Sequence, residues 1–164
     1  MLKLTAKKLT AEGFSPYGDV IDFESAKEIF PMNFGLATRY SDLAEIDISD
    51  KGGKPCISLV KSRAIEVPFK AHLMEYHPHG SQIFYPLCQT PFLILVAKPA
   101  QTLDESKVEL FISNGKQGIN FYKNVWHHYL MPLENDSEFL IIDRKASDKN
   151  CVQVDLKSEI ILSI

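Results

Sequence analysis

All five histidines of the chain fall in two segments. His72, His77 and His79 lie in AHLMEYHPHGSQIFYPL, and His127 and His128 lie in NVWHHYL beside the single tryptophan, Trp126. Histidine changes charge near neutral pH and is the commonest metal ligand. Two strand-like segments that hold every imidazole predict one polar pocket, able to move protons or to hold a cation. Side chains alternate along a strand, so Glu75 and His77 point to one face and Met74 and Tyr76 to the other. Pro78 and Gly80 then turn the chain, and Gln82 can return beside them. His127 and His128 are adjacent, so only one of the two can face inward.

The elements that must position these groups read mostly as strands. PCISLVK (55–61), AHLMEYH (71–77), QIFYPL (82–87), PFLILVAK (91–98), KVELFIS (107–113), GINFY (118–122), NVWHHYL (124–130), EFLIID (138–143) and CVQVDL (151–156) are short and rich in β-branched or aromatic residues. Turn-forming runs separate them: DKGGKP, HPHGS, NGKQG, LENDS and KASDKN. Many short strands at this spacing predict an all-β antiparallel sandwich or barrel. No glycine-rich phosphate loop follows a strand. Thr10 is suited to cap a helical turn over 11–14, ending before Pro16, and Ser41 to cap another over 42–46. Nothing repeats and no linker divides the chain, so residues 1–164 read as one domain.

Composition narrows the class. The 164 residues carry a formal net charge of −3, with basic residues spread along the chain. That speaks against a nucleic-acid or membrane-surface footprint. The longest apolar run, FLILVA, is far too short to span a bilayer, and the N-terminus has no signal-like stretch. The three cysteines, Cys56, Cys88 and Cys151, form no C-x-x-C pair and suit small buried positions in a reducing compartment. A cytoplasmic protein is expected.

The spacing of the histidine segments resembles the two cupin motifs. Glu75-x-His77-x(4)-Gln82 has the spacing of the first with two substitutions, and Tyr122-x-Asn124-x-x-His127 that of the second. The corresponding quartet is Glu75, His77, Gln82 and His127. A longer resemblance runs through FSPYGDVI, GLATRYSDLA, HLMEYHPHGSQIFYPL, FISNGKQGINFYKNVWHH and FLIIDR followed by SD. On these segments the chain resembles the ureidoglycolate lyase family. Phe121 stands where that family commonly has tyrosine, Tyr129 where it has proline, and Lys145-Ala146 where glycines are usual.

The resemblance implies a cupin-type antiparallel β-barrel (a double-stranded β-helix) with a few short helices. It also implies a homodimer, and elimination of urea from (S)-ureidoglycolate to leave glyoxylate in allantoin breakdown. Such an elimination needs a base for the hydroxyl proton, an acid for the departing urea, and polar or cationic groups for the carboxylate. Glu75, His77 and His127 are the candidates for the catalytic floor. Arg39, Lys61 and Arg144 are the candidates for the carboxylate, and Gln82 and Asn120 for the urea. The quartet Glu75, His77, Gln82 and His127 is alternatively a divalent-metal site, with nickel the ion the family suggests. Plainer roles stay open: Arg144 as an ion pair with Asp143 or Asp148, Lys61 as a strand-end charge, Trp126 as core or interface packing. So do an amidohydrolase acting on the same compound, another metal-dependent cupin enzyme of small acids, and a non-catalytic ligand-binding cupin.

Overall fold

A computed structural model describes residues 1–164. Fifteen strands form in chain order: β1 Leu2–Thr5, β2 Lys7–Lys8, β3 Gly18–Ile21, β4 Glu28–Met32, β5 Ala37–Ser41, β6 Lys54–Ser62, β7 Phe69–Tyr76, β8 Gln82–Pro86, β9 Phe92–Ala97, β10 Glu109–Ile112, β11 Gly118–Phe121, β12 Trp126–His127, β13 Met131–Pro132, β14 Ser137–Lys145 and β15 Val152–Ser163. The one α-helix, α1 (Ala11–Phe14), starts at Thr10, whose hydroxyl accepts from the Gly13 N–H. One sheet runs β1-β15-β7-β12-β9-β10-β2, with β13 also on β9, and a second runs β3-β11-β8-β14-β6. Pairing is antiparallel except for β1 on β15 and β2 on β10. This is the expected all-β, cupin-type barrel.

The core explains why the two sheets close on each other. All six residues of β9, FLILVA, are buried. Phe92, Ile94 and Val96 join one cluster with Phe14, Phe111, Ile119, Phe121 and Phe139, and Leu93 and Leu95 join a second with Met74, Trp126 and Leu162. A strand apolar on both faces is what a position between two packed layers requires. Burial of each such side chain contributes roughly 1.5–3 kcal/mol. Helix α1 seals one end by laying Phe14 edge-on against Phe111, with ring centroids 5.5 Å apart.

The structure departs from the sequence reading at several points. Residues 42–46 form no helix. Asp42 takes a positive φ of 57°, and the following backbone is drawn into tertiary bonds. The Glu45 carbonyl accepts from Asn120 Nδ2 at 2.9 Å, and Asp47 exchanges bonds with Ser81. These partners lie far away in sequence, so local capping signals could not reveal them. The strand expected over 124–130 shrinks to Trp126–His127. Strands β1 to β5 and β13 were not anticipated, and β4 and β5 pair only with each other. Gly115 takes φ +88° as the turn demands, but Gly118 serves close packing instead, since a Cβ there would lie 2.9 Å from the Phe84 carbonyl oxygen.

Candidate active site

Three chain segments meet at the site. Strand β7 carries Glu75, and β12 sets His127 directly opposite it in the ladder, so the two share a face. His77 follows the end of β7. Asn124, at φ 66°, turns the chain so that its N–H donates to the His77 carbonyl at 3.0 Å. From the other sheet, β8 brings Gln82 opposite Phe121 of β11. Phe121 stacks on the His127 ring, with centroids 4.3 Å apart and planes within 14°.

The ligand atoms of Glu75, His77 and His127 lie within 4.8 Å of one another. His127 Nε2 is 3.6 Å from Glu75 Oε1, and the His77 and His127 rings are 5.1 Å apart. His77 Nε2 faces Gln82 Oε1 at 3.2 Å, and Gln82 Nε2 reaches Asp143 at 3.4 Å. His127 is 2% exposed, and its Nδ1 donates to the Val125 carbonyl at 2.9 Å. Burial, reinforced by the neighbouring His77, lowers the His127 pKa to about 3. The contact with Glu75 is therefore not an ion pair at neutral pH, because the imidazole there is uncharged. With its proton on Nδ1, His127 aims a bare lone pair at Glu75.

That geometry has a chemical consequence. The buried His127 Nε2 has no hydrogen-bond partner. It converges on a carboxylate, which also accepts. A proton, a substrate hydroxyl or a cation would satisfy both. Two imidazoles and a carboxylate also form a donor set that suits a divalent transition metal, with the Gln82 carbonyl oxygen adjoining. The residues thus fit a divalent cation.

His128 lies on the other side. It sits between Phe69 and Tyr129, with its Nε2 3.5 Å from the His72 N–H. Burial lowers its pKa to about 4. Neither His128 nor His72 touches the Glu75 group.

The structure brings together Glu75, His77, Gln82 and His127, and it disperses the other candidates. Arg39 lies on β5, with its guanidinium carbon 5.8 Å from the centre of the Phe30 ring. Lys61 makes an exposed ion pair with Glu138 at 3.1 Å. Asn120 is fully buried, and its Nδ2 donates to Asp19 and to the Glu45 carbonyl. Asp19 also accepts from Tyr122, whose phenol is pushed up to about 12 by burial and by that bond. Arg144 is buried, donating twice to the Asp50 carbonyl and once to Asp148. None of these four shares a hydrogen bond with the Glu75 group. Sequence reasoning missed Asn150 and Cys151. The Asn150 carbonyl accepts from His77 Nδ1 at 2.7 Å, and Cys151 Sγ donates to Glu75 at 3.6 Å. In the sequence they were a turn asparagine and a small buried thiol, with no signal linking them to the histidines.

The family model for ureidoglycolate lyase matches residues 1–163. The chain belongs to the ureidoglycolate lyase family. Among the relatives, a ureidoglycolate lyase of Burkholderia mallei (strain NCTC 10229) is 40% identical over 163 residues, covering 99% of this chain and 95% of the relative. One from Burkholderia cepacia is 41% identical over 154 residues, covering 94% of this chain and 86% of the relative. One from Pseudomonas syringae pv. tomato (strain ATCC BAA-871 / DC3000) is 38% identical over 151 residues, covering 92% and 88%. Within this ureidoglycolate lyase family member, the four converging residues are those of the cupin-motif quartet.

Proposed function

We propose that this chain is a ureidoglycolate lyase that eliminates urea from ureidoglycolate, leaving glyoxylate, with Glu75, His77 and His127 as its catalytic floor. The observation that carries the chemical part is the bare, buried His127 Nε2 set 3.6 Å from the Glu75 carboxylate. The substrate carbon bears a hydroxyl, a carboxylate and a urea nitrogen. When the hydroxyl loses its proton, its electron pair forms the C=O bond and the C–N bond breaks. The departing nitrogen takes up a proton, so no net proton is consumed. The pair need hold that proton only in transit. This suits an imidazole whose burial disfavours lasting protonation, and proton transfer of this kind contributes ~10²–10⁴-fold.

Glu75 Oε1 accepts the hydroxyl proton, His127 Nε2 is the adjoining acceptor, and His77 with Gln82 completes the polar wall. Glu75, His77, His127 and the Gln82 carbonyl would hold a divalent ion, nickel by the resemblance, which when bound polarises the hydroxyl and carboxylate oxygens. Urea release calls for no nucleophile aimed at the urea carbonyl, which favours the lyase over an amidohydrolase.

The reading includes a homodimer in the cytoplasm. Phe34 and Leu36 at the tip of the β4–β5 hairpin stand fully in the open, the kind of apolar surface a second copy covers. The cysteines are all free, and no helix is long and apolar enough to cross a membrane.

Purified protein supplied with ureidoglycolate should form urea and glyoxylate in equal amounts without ammonia. Stoichiometric ammonia would move the assignment to an amidohydrolase. His127→Gln should cost ~10²–10⁴-fold in turnover while His128→Gln keeps substantial activity. The reverse order would remove His127 from the floor.

A further inference from the structure

One dipeptide outside the floor touches two of its members. The turn that leads from β14 into β15 ends in Asn150-Cys151. The Asn150 carbonyl accepts from His77 Nδ1 at 2.7 Å, and its side-chain Oδ1 accepts from the His79 N–H at 2.7 Å. The next residue, Cys151, donates from Sγ to Glu75 Oε2 at 3.6 Å. We propose that Asn150 is a positioning residue, fixing which nitrogen of His77 faces the reacting atoms. The proposal rests on the reading of His77 as part of the catalytic floor.

The physical argument starts from the carbonyl. Both ring nitrogens face an oxygen that can only accept, Asn150 O at 2.7 Å from Nδ1 and Gln82 Oε1 at 3.2 Å from Nε2, and the shorter bond places the single proton of a neutral ring on Nδ1. Nε2 is then the nitrogen turned toward Gln82 and the His127 side of the pocket. A histidine without such a partner exchanges its proton between two nitrogens and rotates about two torsions. Orientation by a hydrogen bond to the far nitrogen is how functional imidazoles are commonly held.

The Asn150 side chain keeps the carbonyl in register by binding the turn that follows His77. Gly80 lets that turn lie close, since a Cβ there would fall 2.7 Å from Arg144 Cβ and 3.4 Å from Asn150 Nδ2. Arg144 in turn ties the same region down through the Asp50 carbonyl and Asp148. Asn150 thus connects the turn that follows His77 to a ring in the pocket.

The test uses the full-length protein with Asn150→Ala, which deletes the Oδ1 acceptor, and Asn150→Asp, which keeps an oxygen in its place. Two readouts are taken: steady-state kinetics with ureidoglycolate, and the ¹⁵N resonances of the His77 imidazole in chelator-treated protein at pH 7.5. In the parent, His77 should carry its proton on Nδ1. Asn150→Ala should lower kcat about 10–100-fold, with KM changed far less, and give a mixture of His77 tautomers. Asn150→Asp should restore most of kcat and the Nδ1–H signal. Unaltered kcat and an unaltered His77 spectrum in Asn150→Ala would overturn the proposal. So would equal loss in both variants with His77 still on Nδ1, which marks a merely structural residue. If the parent itself releases no urea, the lyase reading fails, while the His77 spectra still decide what Asn150 does.

Discussion

Acid should weaken this fold through His128 in a way that one substitution can isolate. The ring is 3% exposed and packed edge-on to Phe69, and burial lowers its pKa to about 4, against 6.5 for a free imidazole. The unfolded chain takes up this proton as pH falls through about 6.5, whereas the folded chain refuses it until about pH 4. Between those values the unfolded state binds more protons, so stability is full above pH 6.5 and declines as pH drops through the window. At about 1.4 kcal/mol per pH unit, the loss between pH 7.5 and pH 4.5 is on the order of 2.5 kcal/mol. His127 and depressed carboxylates such as Asp22 and Glu109 push in the same direction. A comparison of parent and variant is therefore needed. His128→Phe removes the titration and leaves a packing change that does not depend on pH. Urea unfolding followed by circular dichroism at both pH values gives four free energies. The gap between parent and variant should shift in the variant's favour by about 2.5 kcal/mol on going to pH 4.5. A gap that stays constant within about 0.5 kcal/mol would refute the claim that His128 is held neutral by burial.

Three further outcomes follow from the packing. Gly18→Ala places a methyl group on the Asn120 carbonyl oxygen, and because backbone cannot yield, stability should drop by about 1–3 kcal/mol or more in thermal melts. Arg144→Ala removes a guanidinium with no exposed side-chain surface and strands the Asp50 carbonyl and Asp148. The cost should be about 1–3 kcal/mol in urea unfolding, from the carbonyl left without its donor, and an unchanged stability would contradict that burial. Lys61→Ala breaks an exposed pair, so stability should be nearly unchanged, with kcat/KM unaltered. A tenfold rise in KM would return Lys61 to the carboxylate.

Much of the site was legible because it is local. The two-residue period of a strand puts Glu75 and His77 on one face whatever the fold around them. The many short apolar strands, separated by glycine- and asparagine-rich turns, suffice for an all-β barrel. The spacing within HLMEYHPHGSQ and NVWHH pointed to the quartet that meets in space. Other features depend on partners distant in the chain. Residues 42–46 look like a capped helix, but Asn120 claims the Glu45 carbonyl and Ser81 the Asp47 backbone just beyond. Arg144 makes the ion pair with Asp148 that the sequence left open, but the Asp50 carbonyl, 94 residues away in sequence, also holds it, and it is buried. That His127 is buried with a bare Nε2, and that Asn150 and Cys151 contact its neighbours, comes from burial and contact. Those are properties of the closed barrel, since desolvation and hydrogen-bond direction arise only once the two sheets have excluded water from the space between them.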